Sequence, residues 1–197
     1  MKEIIIATKN KGKAKEFIDF FLEYDIKALS LLDLPGNIPD VEETGTTFEE
    51  NATLKAEQIS ELLQVPVLSD DSGLEIDALN GEPGVYSARY AGEEKNDQAN
   101  VAKALNNLED VPMEKRTARF VCVLAVAAPG EKTTLHRGTC EGTIATKPRG
   151  NNGFGYDPIF IPQQSTKTMA ELLPQEKSDI SHRANAIMQL DEWIKTL

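Results

Sequence analysis

Two adjacent carboxylates, Asp70 and Asp71, followed by Ser72 and Gly73, close an apolar run, Val65-Pro66-Val67-Leu68. The run reads as a buried strand, and an open α/β sheet binds its ligand just beyond the carboxyl ends of its strands. Two acids and a hydroxyl on a tight turn there can hold a divalent cation and a polarised water. Asp-Ser-Gly is also ordinary turn chemistry. What gives the acids weight is the company they keep.

Thr8-Lys9-Asn10-Lys11-Gly12-Lys13 is a basic, hydroxyl- and amide-bearing loop. It lies between a strand and a helix, where free N–H groups and the helix dipole favour phosphate. The Walker spacing is absent, since Lys13 is followed by Ala14. A solvated basic turn is an equal reading of this segment alone. Lys55 falls near the apolar side of a helix, where a lysine either snorkels or reaches a bound phosphate. Lys147 to Asp157 is glycine-rich and carries Phe154 and Tyr156. Glycines permit close backbone approach, and rings stack on a base; the alternative is a plain flexible loop. His182 and Arg183 stand at the start of a helical pattern, where cations oppose the dipole. An anionic ligand between them would remove that conflict.

The elements that must position these residues alternate. Lys2 to Ala7 reads as a β-branched central strand covered on both faces. A helix follows over Ala14 to Tyr24, with Phe17, Phe20 and Phe21 as its stripe, then a strand over Ile26 to Leu29. Leu32 to Val41 reads as a loop that delivers Glu42-Glu43-Thr44-Gly45. Thr46 or Thr47 caps a helix to about Leu63, with Glu49 and Glu50 suited to its dipole. After the acids, Leu74 to Leu79 alternates as a short strand, and Asn80 to Gly84 is a turn. Asp97 to Leu108 is helical. Arg116 to Ala127 and Thr133 to Ala145 read as a long hairpin over Pro129-Gly130, a hydrophobic arm suited to a dimer contact. Pro158 to Pro162 is a last strand. A helix from Ser181, as N-cap, to Leu197 ends the chain, with Ala184, Ile187, Leu190 and Ile194 buried.

The 197 residues suit one large domain or two closely packed lobes, and 40% hydrophobic with 27% charged residues is an ordinary globular balance. No apolar run is long enough for a membrane span, and the start is too poor in apolar residues for a signal peptide. The net charge of -11 argues against a nucleic-acid polymer as partner. It leaves room for a small anion on a local basic cluster. Cys122 and Cys140 lie in apolar segments and read as buried reduced thiols, which suits the cytoplasm. Two cysteines and two histidines leave no zinc spacing.

With these pieces in order, the chain resembles the inosine triphosphate pyrophosphatase family. The carriers are Thr8 to Lys13, Glu43 to Phe48, Asn51 through Lys55-Ala56, Ser69 to Leu74, Pro83 to Arg89, Gly153 to Pro158, and Lys177-Ser178 with Ser181-His182-Arg183. Lys9 departs from the family pattern, which often has a small residue there. The resemblance implies an α/β fold: a long curved mixed β-sheet with flanking helices forming two lobes around a central cleft, one domain over residues 1–197, and a homodimer. It implies magnesium-dependent hydrolysis of ITP, dITP and XTP to the monophosphate and pyrophosphate, which clears deaminated purines from the nucleotide pool.

By position, the resemblance makes Asp71 the general base and, with Glu43, a metal ligand, Glu42 and Asp70 being nearby candidates. Lys9, Lys11 and Gly12, with Thr8, Asn10, Lys13, Lys55 and Ser72, fall on the triphosphate and sugar side. Phe154, Gly155, Tyr156, Asp157, Lys177, His182 and Arg183 fall on the base side. Hypoxanthine and xanthine carry an acceptor oxygen where adenine carries a donor amine, so backbone N–H groups and Arg183 are the expected discriminating donors. Two alternatives remain: a pyrophosphatase for other modified nucleotides, and a nucleotide-binding regulator without catalysis. Three or four carboxylates beside a polyanion favour catalysis.

Overall fold

The computed structural model describes residues 2–36 and 38–196. Six strands form one mixed sheet: β1 (Lys2–Ile6), β2 (Ile26–Ser30), β3 (Val67–Ile76), β4 (Thr117–Ala127), β5 (Thr134–Ile144) and β6 (Phe160–Pro162). Their order is β2-β1-β3-β4-β5-β6. β1 runs parallel to β2 and β3, and β5 is antiparallel to β6. The helices are α1 (Lys11–Leu22), α2 (Phe48–Leu63), α3 (Asp97–Asn107), α4 (Pro174–Ile180), α5 (His182–Ile187) and α6 (Asp191–Thr196). The mixed α/β class expected from the sequence is the class found. Among the described residues no helix is long and apolar enough to cross a membrane.

The chain groups into two compact units. The first holds Met1–Asp71, Cys122–Arg137 and Ala186–Leu197. Its β1 is covered on both faces, as the β-branched run predicts. Ile4 and Ile6 pack with Phe17 and Phe21 of α1, whereas Ile5 and Ala7 pack with Ile59 of α2. The split follows from the strand period of two. Phe17 and Phe21 are fully buried, and each such side chain contributes roughly 2–3 kcal/mol by leaving water.

The second unit holds Ser72–Val121 and Gly138–Asn185. Its core joins Leu74 and Ile76 of β3, Val101, Ala104 and Leu108 around α3, Phe120 of β4, and Ile144 and Phe160. Arg116 is buried there and spends its guanidinium on carbonyls, donating to Leu108 O, Val111 O and Ala145 O. It closes the end of α3 onto the root of the glycine-rich segment.

Several expectations are corrected. Asp70 to Gly73 is no turn at a strand end but the middle of β3, which runs unbroken from Val67 to Ile76. The short strand expected over Leu74 to Leu79 is the end of β3 followed by a 3-10 turn, Asp77–Leu79. Residues 67–71 are all buried, and pairing with neighbouring strands overrides the turn propensity of Asp, Ser and Gly. α1 begins at Lys11, not Ala14, because Asn10 caps it. The expected hydrophobic arm is part of the sheet, with β4 lying between β3 and β5. The single C-terminal helix is broken: α4 precedes it, Ser181 is extended, and a 3-10 turn separates α5 from α6. Ser181 still caps as expected, its Oγ accepting the Ala184 N–H. The expected end at Leu197, and Asn37 of the Leu32–Val41 loop, lie outside the described residues.

Candidate functional site

In the first unit, the unbroken β3 puts Asp70 and Asp71 on opposite faces of the strand. Asp70 accepts Lys13 Nζ of α1 at 2.8 Å. Asp71 turns the other way, as does Ser69, whose Oγ donates to Ala52 O of α2. From α2, Lys55 Nζ reaches Asp71 Oδ1 at 3.5 Å and Glu43 Oε1 at 2.9 Å. Glu43 and Asp71 thus converge on one cationic atom. The second Asp71 oxygen, Oδ2, is buried with no hydrogen-bond partner among the described residues.

The electrostatics follow from this crowding. Burial pushes the Asp71 carboxyl above its ordinary range; Lys55 and Lys13 pull it down, and Glu43 and Asp70 push it further up. Burial alone would lower the Lys55 ammonium, but Asp71, Asp70 and Glu43 together hold it above its usual value. The two directions agree physically, because one ammonium serves several carboxylates while Asp71 has only a share of it. Among the described residues no three His, Cys, Asp or Glu side chains group as a metal cage. Two carboxylates plus substrate phosphates is the arrangement magnesium uses, and hard oxygen donors suit it.

Local sequence builds this group. α2 starts with a capping box, Thr47 against Glu50, so its first turn is satisfied. Asn51 is fully buried, and its Oδ1 accepts the Gly45 N–H at 2.8 Å, tying the Glu43 loop to α2. A Cβ on Gly45 would lie 2.6 Å from Glu50 Cβ and 2.7 Å from Asn51 Oδ1, so only glycine fits. Sequence reasoning gave Asn51 no role. The signal was there: an asparagine within a helix is usually spent on a backbone partner.

The Thr8 to Lys13 segment departs from the expected picture of free N–H groups. Asn10 Oδ1 accepts both Gly12 N–H and Lys13 N–H, and Thr8 Oγ1 accepts the Asn10 N–H. Lys13 therefore meets the acids through its side chain. Lys9 is drawn elsewhere, to Ile38 O at 2.6 Å and Asp40 at 2.8 Å, so it does not join the acid cluster. Lys11 is exposed at the first position of α1 and Gly12 is half-buried. Glu42 is exposed, whereas Glu43 is drawn in to Lys55.

In the second unit, Ser72 is half-buried in β3. The glycine-rich segment there is held by carboxylates. Asp157 is buried, and its Oδ2 accepts both Phe154 N–H at 2.9 Å and Lys177 Nζ at 2.8 Å. Gly155 N–H donates to Asp97 Oδ2 at 2.8 Å. Lys177 Nζ and Arg183 Cζ lie 5.0 and 5.4 Å from the Phe154 ring centroid, a cation–π arrangement that fixes the ring. His182 is buried and stacks on Phe120 at 4.9 Å. Phe154, Asp157, Lys177 and Arg183 are therefore brought together. Tyr156 is not offered for stacking: it is a core residue whose hydroxyl donates to Ser87 O. The Phe154 and Gly155 N–H groups already have acceptors, which narrows the expected backbone donors to others. Cys140 is buried, its thiol pushed up to about 11 by burial, so thiolate chemistry has no place here.

A profile of the Ham1 family matches residues 4–193. The dITP/XTP pyrophosphatase of Oceanobacillus iheyensis is 64% identical over 197 residues, covering 100% of both chains. The solved Ham1 protein of Staphylococcus aureus superposes with a TM-score of 0.87 at 49% identity, covering 99% of each chain. A HAM1 protein from Coxiella burnetii gives 0.88 at 42% identity over 100% of each. These matches bear out the resemblance drawn from the motifs.

Proposed function

The chain belongs to the Ham1 family, and from that premise we propose that it hydrolyses ITP, dITP and XTP to the monophosphate and pyrophosphate. The relatives' dITP/XTP pyrophosphatase activity supports the reading. The single observation in this chain that carries it is Asp71: buried, one oxygen shared with Lys55, the other without a hydrogen-bond partner among the described residues.

Magnesium is part of the proposal. Glu43 and Asp71 would hold it, since they already converge on one cation and the second Asp71 oxygen is a buried acceptor with no donor among the described residues. When bound there, magnesium would neutralise charge on the triphosphate oxygens.

The protein groups do the rest. Asp71 takes the proton from the water that attacks the α-phosphorus, a task suited to a carboxyl raised by burial. Lys55 and Lys13 neutralise the charge that grows on the departing pyrophosphate. Phe154, with Lys177 and Arg183 against its ring, receives the base. Arg183 donates to the oxygen that marks hypoxanthine and xanthine. The homodimer and the cytoplasmic location belong to the same proposal; two buried free thiols suit a reducing compartment.

A substrate panel tests the reading: pyrophosphate release from ITP, XTP, dITP, ATP and GTP with magnesium. We expect strong preference for the first three. Equal turnover of ATP would overturn the base assignment.

A further inference from the structure

We infer that Asp97 is a positioning residue for the base side of the site. Its carboxylate holds the Gly155 peptide and so sets where the Phe154 ring meets a purine. The inference rests on the reading of the glycine-rich segment as base-binding, and deepens it.

Asp97 opens α3, but the helix does not need its side chain as a cap. Asn96 is the N-cap, its Oδ1 accepting the Ala99 N–H at 2.9 Å. Asp97 instead reaches 58 residues along the chain, and its Oδ2 accepts the Gly155 N–H at 2.8 Å. The neighbouring Phe154 N–H goes to Asp157. The two successive peptides that carry the ring are thus each held by a different carboxylate.

The same peptide's carbonyl, Phe154 O, accepts the Asp157 N–H, but at the longer distance of 3.3 Å. Gly153 and Gly155 sit at φ +75° and +61°, where glycine moves freely. The two differ in surroundings. A Cβ on Gly153 would strike Asp157 Oδ2 at 2.0 Å, whereas nothing lies within 4 Å of that position on Gly155. Packing confines Gly153, and the hydrogen bond to Asp97 confines Gly155. Without Asp97 the Gly155 peptide keeps only the long Asp157 N–H bond to its carbonyl, and the Phe154 backbone loses one of its two carboxylate tethers. No group of the acid cluster is touched, so the effect belongs to binding of the base and not to the chemical step.

The test compares the wild type with Asp97→Ala, Asp97→Asn and Asn96→Ala. KM and kcat are measured for ITP, together with inhibition by inosine, which has no phosphate, and by pyrophosphate, which has no base. Losing one charge-assisted, solvent-exposed hydrogen bond should raise KM for ITP about fivefold in Asp97→Ala. Inosine inhibition should weaken in proportion, with kcat and pyrophosphate inhibition unchanged. Asp97→Asn keeps an acceptor and should restore most of the affinity. Asn96→Ala weakens the same helix without touching Gly155, so it should lower Tm and leave KM alone. Equal KM changes in Asp97→Ala and Asn96→Ala would reduce Asp97 to a helix-stability role and overturn the inference. So would inosine inhibiting the wild type and Asp97→Ala equally. If inosine fails to inhibit the wild type at all, the base-binding reading falls, and this inference falls with it.

Discussion

Replacing Lys55 by methionine keeps most of the stem and removes the charge on which Glu43 and Asp71 converge. The Lys55 side chain is 13% exposed, Asp71 8% and Glu43 30%. At an effective dielectric near 20, unit charges about 3.5 Å apart attract by about 5 kcal/mol before desolvation. Removing one partner of a buried pair costs about 3–5 kcal/mol, because the other charge is left uncompensated. Glu43 retains solvent and Asp71, already pushed up by burial, can take a proton, so the lower end applies, about 3 kcal/mol. For a chain of this size that lowers Tm by roughly 6–12 °C. Calorimetry at pH 7 in a chelator, then in excess magnesium, reads the effect. With the ammonium gone, the carboxylates should gain more from the metal, so magnesium should raise Tm more in Lys55→Met than in the wild type. A chelated Tm within about 1 °C of the wild type, or equal metal shifts, would refute the reasoning.

Two further outcomes follow from the geometry. Gly153→Ala forces a Cβ against Asp157 Oδ2 at a positive φ, so it should displace Phe154 and raise KM for ITP about tenfold, with pyrophosphate inhibition unchanged; an unchanged KM would remove Asp157 as the anchor of that ring. The Asp77 carboxyl is held below its ordinary range by its hydrogen bond to Arg119, with help from Thr117. A lowered carboxyl contributes stability above its unfolded value of about 3.9 and loses it as pH falls through the folded one. Arg119→Met should therefore melt about 2 °C below the wild type at pH 7, a small gap because Asp77 is 45% exposed. The gap should close as both are titrated toward about pH 2; a constant gap across that range would contradict the assignment.

Much of this molecule is legible from residue order, and the failures have causes. β1, α2 and its capping box follow from apolar periodicity and cap chemistry, which are local. The Asp70–Gly73 misreading came from trusting local turn propensity where strand pairing decides. Its consequence is chemical: in a turn the two acids would work together, whereas in a strand they face opposite ways, Asp70 to Lys13 and Asp71 to Lys55. Which acid meets which lysine depends on the strand period, so it could not be read until the strand was known. Tyr156 failed for a different reason. A ring in a glycine-rich motif has the same letter whether it faces a ligand or the core, and the core took it. The Lys9 ammonium was lost to Ile38 and Asp40, and Asp97 was missed, because both contacts join segments far apart in the chain.

The central claim is that Asp71 is the base in the hydrolysis of ITP. The measurement that tests it most directly is kcat for pyrophosphate release from ITP by Asp71→Asn, at saturating ITP and magnesium. The account predicts a fall of about 10²–10⁴, the usual worth of a general base, with inosine still inhibiting the small residual turnover as it inhibits the wild type. An Asp71→Asn enzyme that turns over ITP at the wild-type rate would contradict it.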